Sequence, residues 1–282
     1  MGDLFRIAGA QIDIKFADIQ HNLNRIEEVV RETTSKGAWL TVFPEAAISG
    51  YCFETLEEAM PHAEPVPGPA TNRLTEICRT YDTRLIAGML ERDGDRLFNA
   101  VVLVGPDGVI GSYRKIHLPY LGVDQFATPG DRPFQVWQVG PLRIGMHICY
   151  DGSFPESARV MTLDGADLLV LPTNWPPKSE CASAHLANMR AHENIVYFMA
   201  VNRVGVERGF AFIGGSKIAD PSGVTLAEVP GTDETIFYAD IDPELARRKR
   251  QVRIPGKHEI DRINDRRPEM YGRLVDPVKK GK

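Results

Sequence analysis

The 282-residue chain alternates short apolar runs with segments in which apolar residues recur at helical spacing. Residues 6–13 and 39–43 are predicted strands, and the second has the continuous apolar character of a strand buried on both faces. Between them a helical period starts after Asp18, a residue suited to capping a helix, and ends at Gly37. The beginning of the chain therefore predicts a β-α-β unit.

The same alternation continues along the chain, and two hairpins interrupt it. A turn at residues 106–108 joins predicted strands 97–104 and 109–114, and a second hairpin is built on residues 220–223. Helices that alternate with strands, together with hairpins, indicate an α/β fold of two mixed sheets packed together with helices outside. The other predicted strands are 84–90, 142–149, 167–171 and 196–201, and the other predicted helices are 71–81, 155–163 and 182–194.

No Ser- or Gly-rich linker divides the chain, so we expect a single domain over residues 1–282. The periodic pattern is lost after Gln251, and the tail 251–282 is expected to be irregular and to pack on the surface or on a partner subunit. A connection rich in Glu and Pro, residues 46–69, is longer than most loops of compact domains and is expected to be functional.

Composition excludes several classes of protein. Hydrophobic residues make up 43% and charged residues 25% of the chain, which is ordinary for a soluble protein. The net charge of -5 gives no positive field for nucleic acid, and no apolar run has the length of a membrane span. Four cysteines without a Cys-x-x-Cys pair indicate reduced thiols and no metal site. With no signal or transit peptide expected at the start, the pattern favours a cytoplasmic protein.

Three reactive side chains stand at the ends of predicted strands. Glu45 follows the strand 39–43, Lys115 follows the strand 109–114, and Cys149 closes the strand 142–149. Alternating α/β folds place their chemistry at strand ends. A carboxylate, an ammonium and a thiol in these positions are therefore the strongest candidate for a functional site.

The sequence around these residues resembles the nitrilase superfamily of carbon–nitrogen hydrolases, from about residue 6 to residue 271. The resemblance implies a Glu45, Lys115 and Cys149 catalytic triad, a four-layer α-β-β-α sandwich, no cofactor, and a homodimer or higher homo-oligomer. The matching strings are Phe43-Pro44-Glu45, Tyr113-Arg114-Lys115-Ile116-His117-Leu118-Pro119, Ile148-Cys149-Tyr150-Asp151 and Phe154-Pro155-Glu156, with further matches at 172–175, 190–194, 200–203 and 212–216.

These residue types are suited to amide hydrolysis through a thioester. Glu45 would take the proton of the Cys149 thiol, protonate the departing ammonia and later activate water, and burial would raise its pKa toward the working pH. Lys115 and the Tyr150 backbone N–H are expected to hold the oxyanion. A helix N-terminus after Cys149 is expected to favour the thiolate, so a lowered Cys149 pKa is expected of an enzyme.

One departure from the superfamily concerns a second glutamate that commonly lies between the lysine and the cysteine. Residues 116–148 contain no Glu, and Asp124 is the nearest acidic candidate. Asp124 either does the same work from a moved loop or the role is absent. His147 shares a strand face with Cys149, and we interpret it as a structural histidine because Glu45 already supplies the base. The remaining cysteines are expected to be structural or incidental: Cys52, Cys78 and Cys181.

The substrate is less well defined by the sequence. Tyr150-Asp151 resembles the amidase and carbamoylase branches, whereas nitrile-cleaving members typically have a Trp-Glu pair. Ser153 and Phe154 stand where members that act on carboxylated substrates often carry an arginine, which argues against an α-carboxylate. Glu54 or Asp124 would suit a cationic amine substrate. Candidate substrate-binding residues are Tyr51, Phe53, Glu54, Tyr120, Asn174 and Trp175, of which Trp175 is equally suited to the core.

The sequence therefore predicts an enzyme that hydrolyses a small linear amide to carboxylic acid and ammonia. Three alternatives stay open: an N-carbamoyl amine or amino acid amidohydrolase, a nitrilase, and a catalytically silent scaffold protein. A scaffold would not need three reactive residue types in these positions.

Overall fold

The computed structural model describes residues 4–278. The predicted domain and its tail extend into residues 1–3 and 279–282, which lie outside this description. The strands are β1 (Phe5–Gln11), β2 (Leu40–Val42), β3 (Arg84–Asp93), β4 (Arg96–Gly105), β5 (Gly108–Arg114), β6 (Val136–Val139), β7 (Leu142–Met146), β8 (Leu168–Thr173), β9 (Tyr197–Asn202), β10 (Val206–Glu207), β11 (Phe210–Ala211), β12 (Lys217–Ala219), β13 (Thr225–Glu228), β14 (Thr235–Ile241), β15 (Arg250–Ile254) and β16 (His258–Asp261). The helices are α1 (Ile19–Ser35), α2 (Leu56–Ala59), α3 (Pro69–Tyr81), α4 (Pro155–Leu163), α5 (Glu180–Asn194) and α6 (Pro243–Arg247).

Two six-stranded mixed sheets form the centre of the molecule. The first has the order β14-β1-β2-β3-β4-β5, in which β1, β2 and β3 are parallel and the other pairs are antiparallel. The second has the order β13-β12-β9-β8-β7-β6, with β7, β8 and β9 parallel. Each sheet therefore combines a parallel centre with hairpins at its edge, as the alternation of elements predicted.

The sheets pack face to face and carry helices on their outer faces. Apolar residues from both sheets meet in the central core, among them Val42 and Val101 from the first sheet and Ile144 and Met199 from the second. A second cluster joins α1 and α3 to the first sheet, and a third joins α4 and α5 to the second. This arrangement is a four-layer α-β-β-α sandwich, so the predicted fold is confirmed.

Several elements differ from the sequence analysis. The strand predicted over 142–149 ends at Met146, and β6 and β14, which were not predicted, complete the sheets. The long connection 46–69 contains α2, and the tail predicted to be irregular contains the hairpin β15–β16. The Asp18 cap of α1 is as predicted, since its carboxylate accepts the His21 N–H at 3.0 Å. Within residues 4–278, no helix has both the length and the apolar character to cross a bilayer.

Candidate active site

Glu45 lies just beyond β2, where the chain packs closely against β3. The Gly88 N–H donates to Pro44 O at 3.1 Å, and Gly88 O accepts the Ile48 N–H at 3.1 Å. A Cβ on Gly88 would lie 2.2 Å from the backbone nitrogen of Ala46, so this approach requires glycine. The backbone around Glu45 is therefore fixed by a strand and not left to a mobile loop.

Lys115 places its ammonium between two carboxylates. Its Nζ donates to Glu45 Oε1 at 2.7 Å and to Asp124 Oδ2 at 2.5 Å, and none of the three side chains reaches solvent. Lys115 follows β5, and Asp124 lies in a short 3₁₀ turn at Gly122–Gln125. The structure thus brings together two of the three predicted catalytic residues and the candidate second acid.

Two further polar side chains complete this buried cluster. Asn99 Nδ2 donates to Glu45 Oε1 at 2.7 Å and to Asp124 Oδ1 at 2.9 Å. The Tyr51 hydroxyl lies 2.8 Å from Asp124 Oδ2 and 2.9 Å from Leu121 O. Glu45 Oε1 is engaged twice, whereas Glu45 Oε2 is buried without a hydrogen-bond partner among residues 4–278. The two oxygens of Glu45 therefore have different surroundings.

Cys149 stands in a tight turn that follows β7. A 3₁₀ turn spans Cys149–Ser153, and α4 begins at Pro155. The φ angle of Cys149 is +44°, a conformation that costs a non-glycine residue on the order of 1–2 kcal/mol. The half-buried thiol packs against the central core and against the cluster beneath α4 and α5. Backbone strain of this kind is concentrated at functional positions.

Asp151 ties this cysteine turn to the strand that leads to Lys115. Its buried carboxylate accepts the Tyr113 hydroxyl at 2.8 Å, the Ile148 N–H at 3.0 Å and the His117 N–H at 3.0 Å. Tyr113 and His117 flank Lys115 by two residues on either side. One carboxylate thus fixes the relative positions of the thiol turn and the ammonium.

The electrostatics of the cluster follow from burial and from its mixed charges. Burial raises the pKa of Glu45, the Lys115 ammonium opposes this shift, and the Asp124 carboxylate adds to it. Burial alone would lower the pKa of Lys115, but the Asp124 and Glu45 carboxylates outweigh it and hold that pKa well above its usual value. Lys115 is therefore a permanent cation, and Glu45 is a carboxylate poised to gain a proton.

The expectation of a lowered Cys149 pKa is wrong. Burial, followed by the nearby Glu45 carboxylate, raises the pKa of the thiol to about 12. The Lys115 charge, the Thr173 hydroxyl and the Asn174 backbone N–H act in the opposite direction without cancelling this rise. The helix expected to favour the thiolate begins only at Pro155, after the 3₁₀ turn. The resting thiol is neutral and needs a base.

The Tyr150 backbone N–H has no hydrogen-bond acceptor within residues 4–278. It directly follows the nucleophile candidate, and its side chain is 40% exposed. A free N–H in this position has the chemistry required of an oxyanion donor.

The predicted substrate-binding residues fall into three groups. Tyr51 and Phe53 are buried in the same apolar cluster, in which Phe53 packs against Phe16 and the Tyr51 hydroxyl reaches Asp124. Glu54 and Tyr120 stay outside the buried cluster, because the Glu54 side chain is 74% exposed and paired with Arg208 and Tyr120 is 90% exposed. Substrate contact by either of these two remains a prediction.

Asn174 and Trp175 follow β8 and are both buried. Trp175 packs in the cluster beneath α4 and α5, and its backbone N–H donates to Asn202 Oδ1 at 2.8 Å. Neither polar atom of the Asn174 side chain has a partner in the described part of the chain. Buried amides without partners are rare and indicate a place for a polar ligand.

His147 is buried on the strand end that leads to Cys149. Its Nδ1 lies 3.0 Å from the Ser157 hydroxyl, and its ring meets Phe198 edge to face. Burial lowers the pKa of His147 to about 4, so the ring is neutral at physiological pH. These contacts fit the structural role inferred from the sequence.

Sequence reasoning missed Asn99, Thr173 and the network around Asp151. Asn99 carried a signal, since it is the only strongly polar residue in the apolar run 97–104. Asp151 was noted only as part of a string, because its partners are distant in sequence. No group of three or more His, Cys, Asp or Glu residues within 4–278 is arranged to hold a metal ion.

Comparisons with known proteins identify the family of the chain. The carbon-nitrogen hydrolase family matches residues 6–251. A nitrilase from Pyrococcus abyssi is 39% identical over 96% of this chain and 100% of its own, and an omega-amidase from Xenopus tropicalis is 32% identical over 87% and 93%. The crystal structure of an amidase from Nesterenkonia sp. superposes with a TM-score of 0.81 at 26% identity, covering 98% of both chains.

A variant of the Nesterenkonia amidase carries the acetamide moiety of fluoroacetamide bound covalently at its active site cysteine. The match to the family covers most of the present chain, and the resemblance inferred from the sequence is confirmed. The chain belongs to the carbon–nitrogen hydrolases of the nitrilase superfamily and is an enzyme of that family.

Proposed function

We propose that the enzyme hydrolyses a small linear primary amide through a thioester on Cys149, with Glu45 as base and Lys115 as oxyanion donor. The observation that carries this proposal is the buried Lys115 to Glu45 contact at 2.7 Å, with the second Glu45 oxygen unpartnered among residues 4–278 and a neutral thiol whose pKa the Glu45 carboxylate raises. A structural ion pair would be expected to satisfy both carboxylate oxygens.

Acylation begins when Glu45 Oε2 takes the Cys149 proton as the sulfur attacks the amide carbonyl. The negative charge that develops on the carbonyl oxygen is stabilised by Lys115 Nζ and the Tyr150 N–H. Protonated Glu45 then gives its proton to the amide nitrogen, the C–N bond breaks and ammonia leaves. The raised pKa of Glu45 suits a group that must both accept and return a proton.

Deacylation uses the same groups. Glu45 removes a proton from a water molecule that attacks the thioester, and the oxyanion forms again beside Lys115. The C–S bond breaks, the thiol regains its proton from Glu45, and the carboxylic acid leaves. In this scheme Asp124 keeps Lys115 charged and oriented and takes no proton itself.

The surroundings of the thiol favour a primary amide as the substrate class. Asn174 offers an NH₂ group and a carbonyl oxygen that have no partners among residues 4–278. It directly follows Thr173, whose hydroxyl acts to lower the pKa of the Cys149 thiol. An amide side chain of this kind is complementary to a terminal CONH₂ group. Asp124 has both oxygens engaged by protein donors, so it is not free to bind a cationic substrate.

An N-carbamoyl amine is the second candidate, because it presents the same terminal CONH₂ group to Asn174. Phe154 stands where an arginine would bind a substrate carboxylate. Its ring instead stacks on the His117 ring, with the ring centroids 3.7 Å apart, so it offers no positive charge. This supports a carbamoyl amine above a carbamoyl amino acid.

The test is ammonia release across linear amides, ω-amides, N-carbamoyl amines and nitriles. Turnover of primary amides that is abolished in Cys149→Ala and retained in Cys181→Ala is the expected result, since Cys181 is exposed on α5 and takes no part in the proposed mechanism. Amide hydrolysis that survives in Cys149→Ala would contradict the thioester mechanism, and carbon dioxide among the products would select the carbamoyl alternative.

We also propose that the enzyme acts as a homodimer or higher homo-oligomer. The segment after β16 exposes large apolar side chains, among them Met270, Leu274 and Val275. Exposed apolar side chains that are grouped in this way are typical of contact surfaces. Light scattering of the purified protein would decide this, and a monomer at micromolar concentration would contradict it.

A further inference from the structure

The side chain of Asn99 is the one neutral member of a closed hydrogen-bonded ring. Lys115 and Asn99 each donate to both Glu45 and Asp124, at distances between 2.5 and 2.9 Å. The backbone carbonyl oxygen of Asn99 also accepts the Lys115 backbone N–H at 2.8 Å. The ring therefore joins β4, the end of β5 and two loops around a single ammonium.

The orientation of the Asn99 amide follows from its partners. Both carboxylates offer only acceptors, so the nitrogen and not the oxygen must face them. The amide oxygen is left buried without a partner among residues 4–278. An amide kept for stability alone would be expected to pair both ends, so the position indicates a task directed at the carboxylates.

The charges of the ring define that task. Glu45 faces Lys115, Asp124, Tyr51 and Cys149, and two carboxylates share one cation. Repulsion between the carboxylates favours protonation of one of them, which would remove the base. A donor shared between both carboxylates opposes this protonation and also fixes which Glu45 oxygen stays free.

We propose that Asn99 is a positioning residue that holds Glu45 ionised by its Oε1 atom and leaves Oε2 free to accept the proton of Cys149. The inference rests on the proposed function and adds to it the residue that sets the proton affinity of the base. The hydrogen bond from Asn99 lowers the pKa of Glu45, in agreement with this role.

The test is the pH dependence of Cys149 alkylation by iodoacetamide, followed by mass spectrometry of the Cys149 peptide. In this reaction the S–C bond forms, iodide leaves and the thiol proton passes to Glu45. The exposed Cys181 of the same protein serves as an internal standard for the reagent. In the unmodified enzyme, the rate at Cys149 should fall as the pH drops below the pKa of Glu45, whereas the rate at Cys181 should show no change that coincides with it.

Asn99→Leu keeps the volume of the side chain and removes both donors. We expect the acidic limb, which is the pH range in which the alkylation rate at Cys149 falls, to move up by about one pH unit or more. The rate should be partly restored above that range. Asn99→Ser, which retains one donor, should give a smaller shift and serves if the leucine variant does not fold. Thr41→Val is the matched control, because Thr41 lies in the same sheet and its buried hydroxyl bonds to Thr33 of α1 and not to a member of the ring.

Each result has a defined meaning. An unmoved limb, or an equal loss of rate at every pH, would overturn the role of Asn99, as would failure of both variants to fold. If Cys149 of the unmodified enzyme follows the same profile as Cys181, the proposed function itself fails and not merely the role of Asn99.

Discussion

The two oxygens of the Glu45 carboxylate divide its functions at the scale of a single residue. Oε1 is fixed by Lys115 and Asn99, whereas Oε2 has no hydrogen-bond partner among residues 4–278 and is the oxygen proposed to transfer the proton. A free carboxylate would rotate and exchange these roles. In the proposed mechanism, the permanent charge of Lys115 is thus required twice, for the geometry of the base and for the oxyanion.

Removing that charge tests both requirements. Lys115→Met should lower kcat/KM by a factor of at least 10²–10³, because the oxyanion loses a preorganised donor. It should also lower the free energy of unfolding by about 3–5 kcal/mol, because two buried carboxylates lose the cation that they share. Amide turnover and urea unfolding measure the two effects.

A double variant separates these two effects. Lys115→Met combined with Asp124→Asn removes the excess negative charge, and should recover much of the stability while activity stays lost. Near-normal turnover in Lys115→Met would contradict the role of the lysine in catalysis.

His147 predicts a pH dependence of stability. Its pKa is about 4 when folded and near 6.5 when unfolded, so its contribution is complete above pH 6.5 and is lost as the pH falls toward 4. Between pH 7.5 and pH 5 the loss should be about 2 kcal/mol. Urea unfolding of His147→Gln should show a smaller loss than the unmodified protein over the same interval, and equal losses would contradict the buried neutral state.

The sequence predicted the candidate catalytic residues better than the residues that hold them in place. Glu45, Lys115 and Cys149 stand in recognisable strings, and Asp124 could be found by the absence of a glutamate. The raised pKa of Cys149 could not be predicted, because it depends on burial and on a carboxylate more than 100 positions away. The same limit applies to the tertiary contacts of Asn99.

At the scale of elements, Glu45 depends on the close approach of β3. Gly88→Ala would place a Cβ against the backbone of Glu45 and Ala46, so the turn must move. We expect a loss of stability of about 1–3 kcal/mol and a fall in kcat/KM of about 100-fold, because small displacements of a catalytic group are costly. Thermal unfolding and amide turnover measure these effects.

Gly105→Ala provides the matched control for this substitution. It lies in the same sheet, and its new Cβ would come closest to the flexible end of the Ile110 side chain, at 2.9 Å, and not to any backbone atom. Both variants should fold, but only the Gly88 variant should lose most of its activity. Equal activities would contradict the positioning of Glu45 by β3.

Strands with uniform burial were predictable, and strands at the edges were not. The segment β8 is buried at every position and reads as an apolar run, whereas β6 is short and only partly buried. The segment β14 has alternating burial, but its partner β1 lies more than 200 residues earlier in the chain. Pairing over such a distance leaves no local signal.

At the scale of the whole molecule, the site is assembled from both sheets. Glu45, Asn99 and Lys115 belong to the first sheet and its loops, whereas Cys149 and Thr173 belong to the second. In the proposed mechanism, activity therefore depends on how the sheets are placed relative to each other. The apolar core between them and the carboxylate of Asp151 fix that placement.

Tyr113→Phe tests the link between the sheets. It removes the hydrogen bond to Asp151 and the acceptor for the Ile116 N–H while leaving the ring in place. We expect a loss of stability of about 1–3 kcal/mol and a fall in kcat/KM of roughly tenfold, measured by urea unfolding and amide turnover.

The same substitution elsewhere controls for the loss of a hydroxyl. Tyr238→Phe removes a buried hydroxyl that has no hydrogen-bond partner within residues 4–278, and it should cost little or nothing. Equal effects of the two substitutions would contradict the linking role of Asp151. The layered architecture itself was predictable because it follows from element type and order, whereas individual contacts across the layers were not.

The hydrogen bonds between Tyr51 and the segment around Asp124 have a consequence for altering specificity. Tyr51 O accepts the Val123 N–H at 2.9 Å, and its hydroxyl contacts Asp124 and Leu121 in return. The loop that contains Tyr51 and the loop that contains Asp124 are therefore one hydrogen-bonded unit. A chimaera that takes only one of these loops from a relative with another substrate would lose the hydrogen bonds between them, next to Lys115. Successful loop exchange therefore requires that both loops be transferred together.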